Sequence, residues 1–324
     1  MTALLDLEPE HYTPHALHLG DRIWAETNCY VDLWVELLHA LGLDPLAAAA
    51  FTLASDFDGT QWTFFKYPID DLRLAYGIDV GELNVWRSVE DHIVEQLGRG
   101  RFLTVEADSW FLPDTAGVSY KIDHTKSTIV ANRLDAATRE LDYFHNSGFH
   151  RLDGDDFDGV LRRLLPDDTN ILVPYVELVR LDDMVVHEPE ALTAIAIELT
   201  ARHLARRPSA NPVTALAERI AADVPWLQEQ GLDFFHRWAF GTCRQCGANA
   251  EVAAAFVRWL DGRDGGGLGA VADDLREVAE QAKALQFQLA RAARGRSVDI
   301  APTLDDMATR WDRALTALVS RYGG

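Results

Sequence analysis

The sequence predicts an α+β fold: an antiparallel-sheet domain over residues 1–185 followed by an all-α domain over 186–324. Three observations point there. Up to about residue 180, short β-prone runs alternate with amphipathic helical stretches. Two of those runs, STIVANRL and ELDYFHN, are joined by the turn DAATR, which is the pattern of an antiparallel hairpin. From EPEALTAIAIELTARHLARR onward, helical periodicity rich in alanine persists and strand signals almost vanish.

Taken in order, residues 27–43 (TNCYVDLWVELLHALGL) read as a helix. Thr27 or Asn28 can cap it, apolar residues recur at Val31, Trp34, Val35, Leu38 and Leu41, and Gly42 ends it. WTFFKY at 62–67 is aromatic and β-prone, closed by Pro68. A helix follows at 88–98, then the strand RFLTVEADSWFL, then the hairpin strands 127–134 and 140–146. ILVPYVELV at 171–179 completes the expected sheet. The second domain holds four to six helices, and GRDGGGLG at 262–269 is a flexible turn between two of them. With no strand before it and no phosphate-loop lysine after it, that turn is not a phosphate cradle.

Composition removes several classes of function. Lys and Arg number 30 against 51 Asp and Glu, a net charge of −21 that repels nucleic acid and anionic membrane surfaces. No run approaches the roughly 18 apolar residues of a membrane span. The first residues, MTALLDLEPEHY, are acidic where a secretory leader is basic. Three cysteines are too few for a disulfide framework, so a reducing, cytoplasmic setting is expected.

Chemistry centres on Cys29. At the first turn of its helix, unsatisfied N–H groups and the positive end of the dipole stabilise a thiolate, the nucleophile that acyl transfer needs. The bland alternative is a buried, inert thiol. His124, just before a strand, stands where a general base would, and the next strand offers Asp142, His145 or Asn146 to orient the imidazole.

These segments carry a resemblance. NCYVDLWVELLHALGLDP, GRFLTVEADSWFLPD, DHTKSTIVANRLD and LDYFHN look like the N-terminal domain of the butirosin-assembly acyltransferase group, over about residues 20–150. The whole chain, with DFDGTQWTFFKYP, YFHNSGF and RQCGANAEVAAAFVRWL, more closely resembles the bacterial domain of unknown function 1839 family. The resemblance implies a papain-like (cysteine-peptidase-like) first domain. It also implies thioester chemistry, with an acyl or aminoacyl group leaving the phosphopantetheine arm of an acyl or peptidyl carrier protein for a small amine acceptor. Carried over by position, Cys29 matches the nucleophile and His124 the base, with Asn146 or Asp142 as third member. Asn28 lies near an expected oxyanion donor, and Gln245 and Glu251 near an acceptor amine. Asp56, Gln61 and Trp62 are expected beside the cleft. No resident cofactor and no metal are expected.

Competing motifs are weaker. DFDGT at 56–60 matches a magnesium-dependent phosphatase signature, but a strand-like run follows it and Asp-Gly also reads as a plain turn. Cys243 and Cys246 make half of a zinc site with no second pair, and close helix packing is the favoured reading. His11, His15 and His18 read as a loose surface arm broken by Pro14. Arg202, Arg206 and Arg207, or Arg291, Arg294 and Arg296, offer basic faces for an acidic carrier protein. The functional expectation is a cysteine acyltransferase. The alternatives are a cysteine amidase or peptidase on the same pair, a non-catalytic binding protein, and remotely the phosphatase.

Overall fold

The structure is a computed structural model, describing residues 2–20, 22–164 and 172–323. It forms two compact units that interleave along the chain. One comprises residues 1–19, 29–45 and 72–186, the other residues 20–28, 46–71 and 187–324.

The first unit is mixed α/β. Its strands are β1 (Thr2–Ala3), β2 (Asp79–Glu82), β3 (Phe102–Asp108), β4 (Lys126–Asp135), β5 (Glu140–His145), β6 (Gly148–Asp153) and β7 (Val176–Arg180). They form one antiparallel sheet in the order β2-β7-β3-β4-β5-β6, with β1 also on β4. Helix α1 (Cys29–Ala40) packs across β4, β5 and β6. Helix α2 (Ile69–Tyr76) precedes β2 in the chain. Helix α3 (Val89–Gly98) is capped by Ser88, whose hydroxyl accepts from the Asp91 N–H at 3.1 Å. Helix α4 (Gly154–Val160) packs on β3, β5 and β6.

The side of the sheet that meets α1 follows from side-chain alternation. Phe144 of β5 stacks edge-on against Tyr12 at 5.9 Å, and the Tyr12 hydroxyl donates to Glu36 of α1 at 2.6 Å. Phe144 lies opposite Val130 of β4, which lies opposite Thr104 of β3. Thr104 shares the buried Glu177 carboxylate with Tyr30, the second residue of α1, at 3.0 and 2.8 Å. Thr104, Glu106 and Asp108 therefore share the α1 side, while Tyr143, His145, Ile129 and Ser127 occupy the other.

The second unit is helical over α5 (Pro189–Arg206), α6 (Pro212–Gln230), α7 (Leu232–Ala239), α8 (Gln245–Asp261), α9 (Gly269–Ala293) and α10 (Ala301–Tyr322). Alanines at 248, 250, 253, 272, 279 and 282 are fully buried, and they let α8 and α9 pack closely. A π-helical segment, Phe240–Arg244, joins α7 to α8.

Three expectations change. WTFFKY is not a strand. Trp62 makes a single bridge to Phe57, its N–H donates to Gly241 O at 2.8 Å, and Phe65 and Tyr67 bury their rings beside Phe51. The run thus serves as apolar filling without a ladder partner. The last strand begins at Val176; residue 171 of the expected range lies outside the described residues. β2 and β6 were not expected, because each is short and rich in polar residues or glycine.

Gly77 carries a strict steric demand. Its φ is +68°, and an added Cβ would overlap the Asp183 carbonyl oxygen. Gly77→Ala is expected to cost at least about 1–2 kcal/mol from the left-handed backbone alone, read as a lowered urea midpoint.

Candidate functional site

Cys29 is the first residue of α1 and is half-buried. One and two turns further in, Asp32 and Glu36 are fully buried on the helix. Between them sits His18, whose Nε2 lies 3.0 Å from Asp32 and whose Nδ1 contacts Glu36. Burial opposes the charge on His18, and the hydrogen bonds to the two carboxylates outweigh it, holding the imidazole above its usual range. This corrects the surface reading at His18, whose side chain is fully buried between two acidic residues of α1, while His11 is exposed.

His124 stands two residues before β4. Its Nδ1 lies 2.6 Å from Asp108 Oδ2, and its ring stacks on Trp110 at 4.5 Å and 9°. The cause is register: β3 and β4 pair up to Asp108 opposite Lys126, so the end of one strand meets the residues entering the next. The partner expected for His124 is thereby corrected. Asp142 is fully buried and ion-paired to Arg133 at 2.7 Å and Arg151 at 2.6 Å. Asn146 occupies the β5–β6 turn with φ 47°. Asp108 was legible only through an antiparallel pairing of the two strands, and Trp110 not at all.

Asp108 lies on the α1 side, so the His124 pair and the helix that begins at Cys29 share one side of the sheet. No hydrogen bond joins Cys29 and His124, and the His124 side chain is 65% exposed. Lys126 of the same rim pairs with Glu106 at 3.1 Å.

The remaining candidates fall in the helical unit. Asn28 is buried and donates to Phe65 O at 3.1 Å. Glu251 accepts from the Ile23 and Trp24 N–H groups at 2.8 and 3.1 Å and pairs with Arg22, so its carboxylate fixes the 22–24 backbone. Gln245 is buried, and neither of its amide atoms has a hydrogen-bond partner. Trp62 is buried edge-on against Trp311 at 5.6 Å. Asp56 and Gln61 are exposed.

DFDGT is a turn: Asp58 Oδ1 accepts from Thr60 N, Thr60 Oγ1 and Gln61 N at 2.7–2.9 Å. These bonds hold the Asp58 carboxyl below its usual range. The FTLAS residues before it belong largely to a 3-10 helix, Pro45–Ala54, so the strand a phosphatase motif needs is missing. Cys243 and Cys246 are fully buried; burial pushes the Cys243 thiol up to about 12 and raises Cys246 as well. Among the described residues, no three His, Cys, Asp or Glu side chains are grouped to hold a metal ion, and no helix is long and apolar enough to cross a membrane. Of the arginine faces, Arg202 reaches Glu198 at 3.9 Å, Arg206 reaches His203 at 3.1 Å, and Arg207 donates to Leu204 O at 2.6 Å.

Compared with known proteins, residues 13–181 match the DUF1839 N-terminal domain and residues 189–320 the DUF1839 C-terminal domain. No curated protein matches the chain.

Proposed function

Since the chain belongs to the DUF1839 family, we propose from its own residues that it is a cysteine-dependent acyltransferase. Cys29 takes an acyl or aminoacyl group from a thioester, His124 moves the proton, and a small amine receives the group. The observation that carries this reading is the His124–Asp108 pair on the α1 side of the sheet, with Cys29 opening that helix. A helix with an N-terminal cysteine packed on an antiparallel sheet, with a histidine leading into a strand, is also the arrangement of the papain-like fold we propose for this unit.

Each residue has a defined task. The N–H groups of the first turn of α1 stabilise negative charge on Sγ. Asp108 accepts from Nδ1 of His124, which leaves Nε2 to take the thiol proton, hand it to the leaving donor thiolate, then accept the proton of the attacking amine and return it to the Cys29 sulfur. Trp110 restricts the ring by stacking. Thiolate attack on the thioester carbonyl releases the donor thiol, and amine attack then regenerates Cys29. The donor we propose is a carrier-protein phosphopantetheine arm. The exposure of His124 supports a second reading, an amidase or peptidase in which water replaces the amine.

Incubation with an acetyl-pantetheine thioester is expected to add one acetyl group to the chain, mapped to Cys29 by peptide mass spectrometry and absent in Cys29→Ala. Discharge by amines but not by buffer supports transfer; equal discharge by water supports hydrolysis. A native chain that never acylates at Cys29 rules out both.

A further inference from the structure

On the side of the sheet away from α1, three residues from separate segments form a hydrogen-bonded relay. Ser127 of β4 has its hydroxyl oxygen 2.5 Å from Nε2 of His145, on β5. His145 Nδ1 lies 2.5 Å from Oδ2 of Asp114, which sits in the 3-10 turn Pro113–Thr115. The other Asp114 oxygen accepts the Tyr143 hydroxyl. Burial works against the Asp114 charge, and the His145 hydrogen bond together with nearby His150 and Tyr143 holds the carboxyl below its usual range. With an ionised Asp114 accepting the hydrogen bond of Nδ1–H, Nε2 is left as the acceptor for the Ser127 O–H.

A second, independent feature adjoins this relay. Ser127 pairs with Ala107 of β3, and Ser109 extends that ladder by one step, its N–H donating to Thr125 O at 2.9 Å. The Ser109 hydroxyl is buried, the residue being 3% exposed, and it has no hydrogen-bond partner. An unmet buried hydroxyl is destabilising, and a developing oxyanion next to Ser127 would meet it. On the other flank His150, 31% exposed at its side chain, lies across Gly148, where an added Cβ would crowd its ring.

We propose that Ser127, His145 and Asp114 form a second nucleophilic site, distinct from Cys29, which takes small uncharged acyl esters. The Asp114 charge disfavours anionic substrates. In the acylation step the Ser127 Oγ–H bond breaks, its proton passes to His145 Nε2, and Oγ bonds to the carbonyl carbon. The ester C–O bond then breaks, and the leaving alcohol takes the proton back from His145. Water attacks the acyl-serine by the same route, so the step needs no other co-reactant.

The test uses the full chain carrying Cys29→Ala, so that thiol acylation cannot contribute. A small fluorophosphonate and p-nitrophenyl acetate are the probes, and peptide mapping locates the adduct. One adduct at Ser127 is expected, absent in Ser127→Ala and formed about 100-fold more slowly in His145→Gln, the low end of what a positioned base contributes. Circular dichroism and the melting temperature establish that each variant is folded. Should His145→Gln not fold, Asp114→Asn takes its place with the same expectation. A folded chain that acquires no adduct at Ser127, or one whose labelling survives in both relay variants, overturns the proposal. Because Cys29 is absent throughout, failure here leaves the acyltransferase reading untouched, and the converse holds as well.

Discussion

Replacing His124 by alanine is expected to slow acylation of Cys29 by acetyl-pantetheine by about 10²- to 10⁴-fold, the contribution of a positioned acid–base group. The structure holds the imidazole by Asp108 and Trp110 without a hydrogen bond to the thiol, so the proposed mechanism requires the pair to close when substrate binds. Asp108→Asn tests that step separately. An amide side chain cannot take the Nδ1 proton with a charged acceptor, so the imidazole loses its fixed tautomer while keeping its place on Trp110. We expect kcat to fall about tenfold, a loss of about 1.4 kcal/mol in transition-state stabilisation, with KM for the thioester unchanged. A general loss of structure would move both constants. Stopped acylation followed by intact-mass spectrometry gives the rates, and an unaltered rate in His124→Ala would remove the histidine from the mechanism.

The candidate site was half legible in the sequence, and the division has a physical cause. Cys29 is readable because a helix start is a local event: its periodic apolar residues and the turn before them lie within a few positions of each other. His124 is readable for the same reason, as a polar residue leading into an apolar strand. Its partner is a different matter, since Asp108 and His124 meet only through the register of two strands separated by a 17-residue excursion. The sequence alone points instead to the next strand, where Asp142 is committed to Arg133 and Arg151 and Asn146 to a tight turn. The relay at Ser127 escapes notice because it draws on three segments, none with a motif of its own. WTFFKY fails in the opposite direction: its local β preference is strong, and burial of its rings decides the outcome. The alanine-rich half needed only periodicity and small residues, and its helices were the most legible part of the chain.

The largest stability effect is expected at His18. Asp32 and Glu36 are buried carboxylates on α1, and His18 bonds to both. Removing one partner of a buried ion pair costs about 3–5 kcal/mol. His18→Ala should fall near the low end, about 3 kcal/mol, because the Tyr12 hydroxyl and the His15 N–H still bond to Glu36 at 2.6 and 3.1 Å. The pH dependence has a definite sign. The folded-state pKa of His18 lies above its unfolded value, so the folded chain binds the extra proton. Stability from this group is therefore complete below the ordinary histidine value of about 6.5 and is lost as pH rises through the raised folded value. Urea unfolding of the native chain and of His18→Gln should accordingly differ most at mildly acidic pH and converge in alkaline solution. A constant difference across that range would mean that His18 acts by packing alone. The consequence reaches the proposed site through the helix: α1 begins at Cys29, so removing the His18 cation beside Asp32, three residues on, makes the first turn more negative and disfavours the thiolate. Acylation of Cys29 should thus weaken in His18→Gln even at temperatures where the variant remains folded.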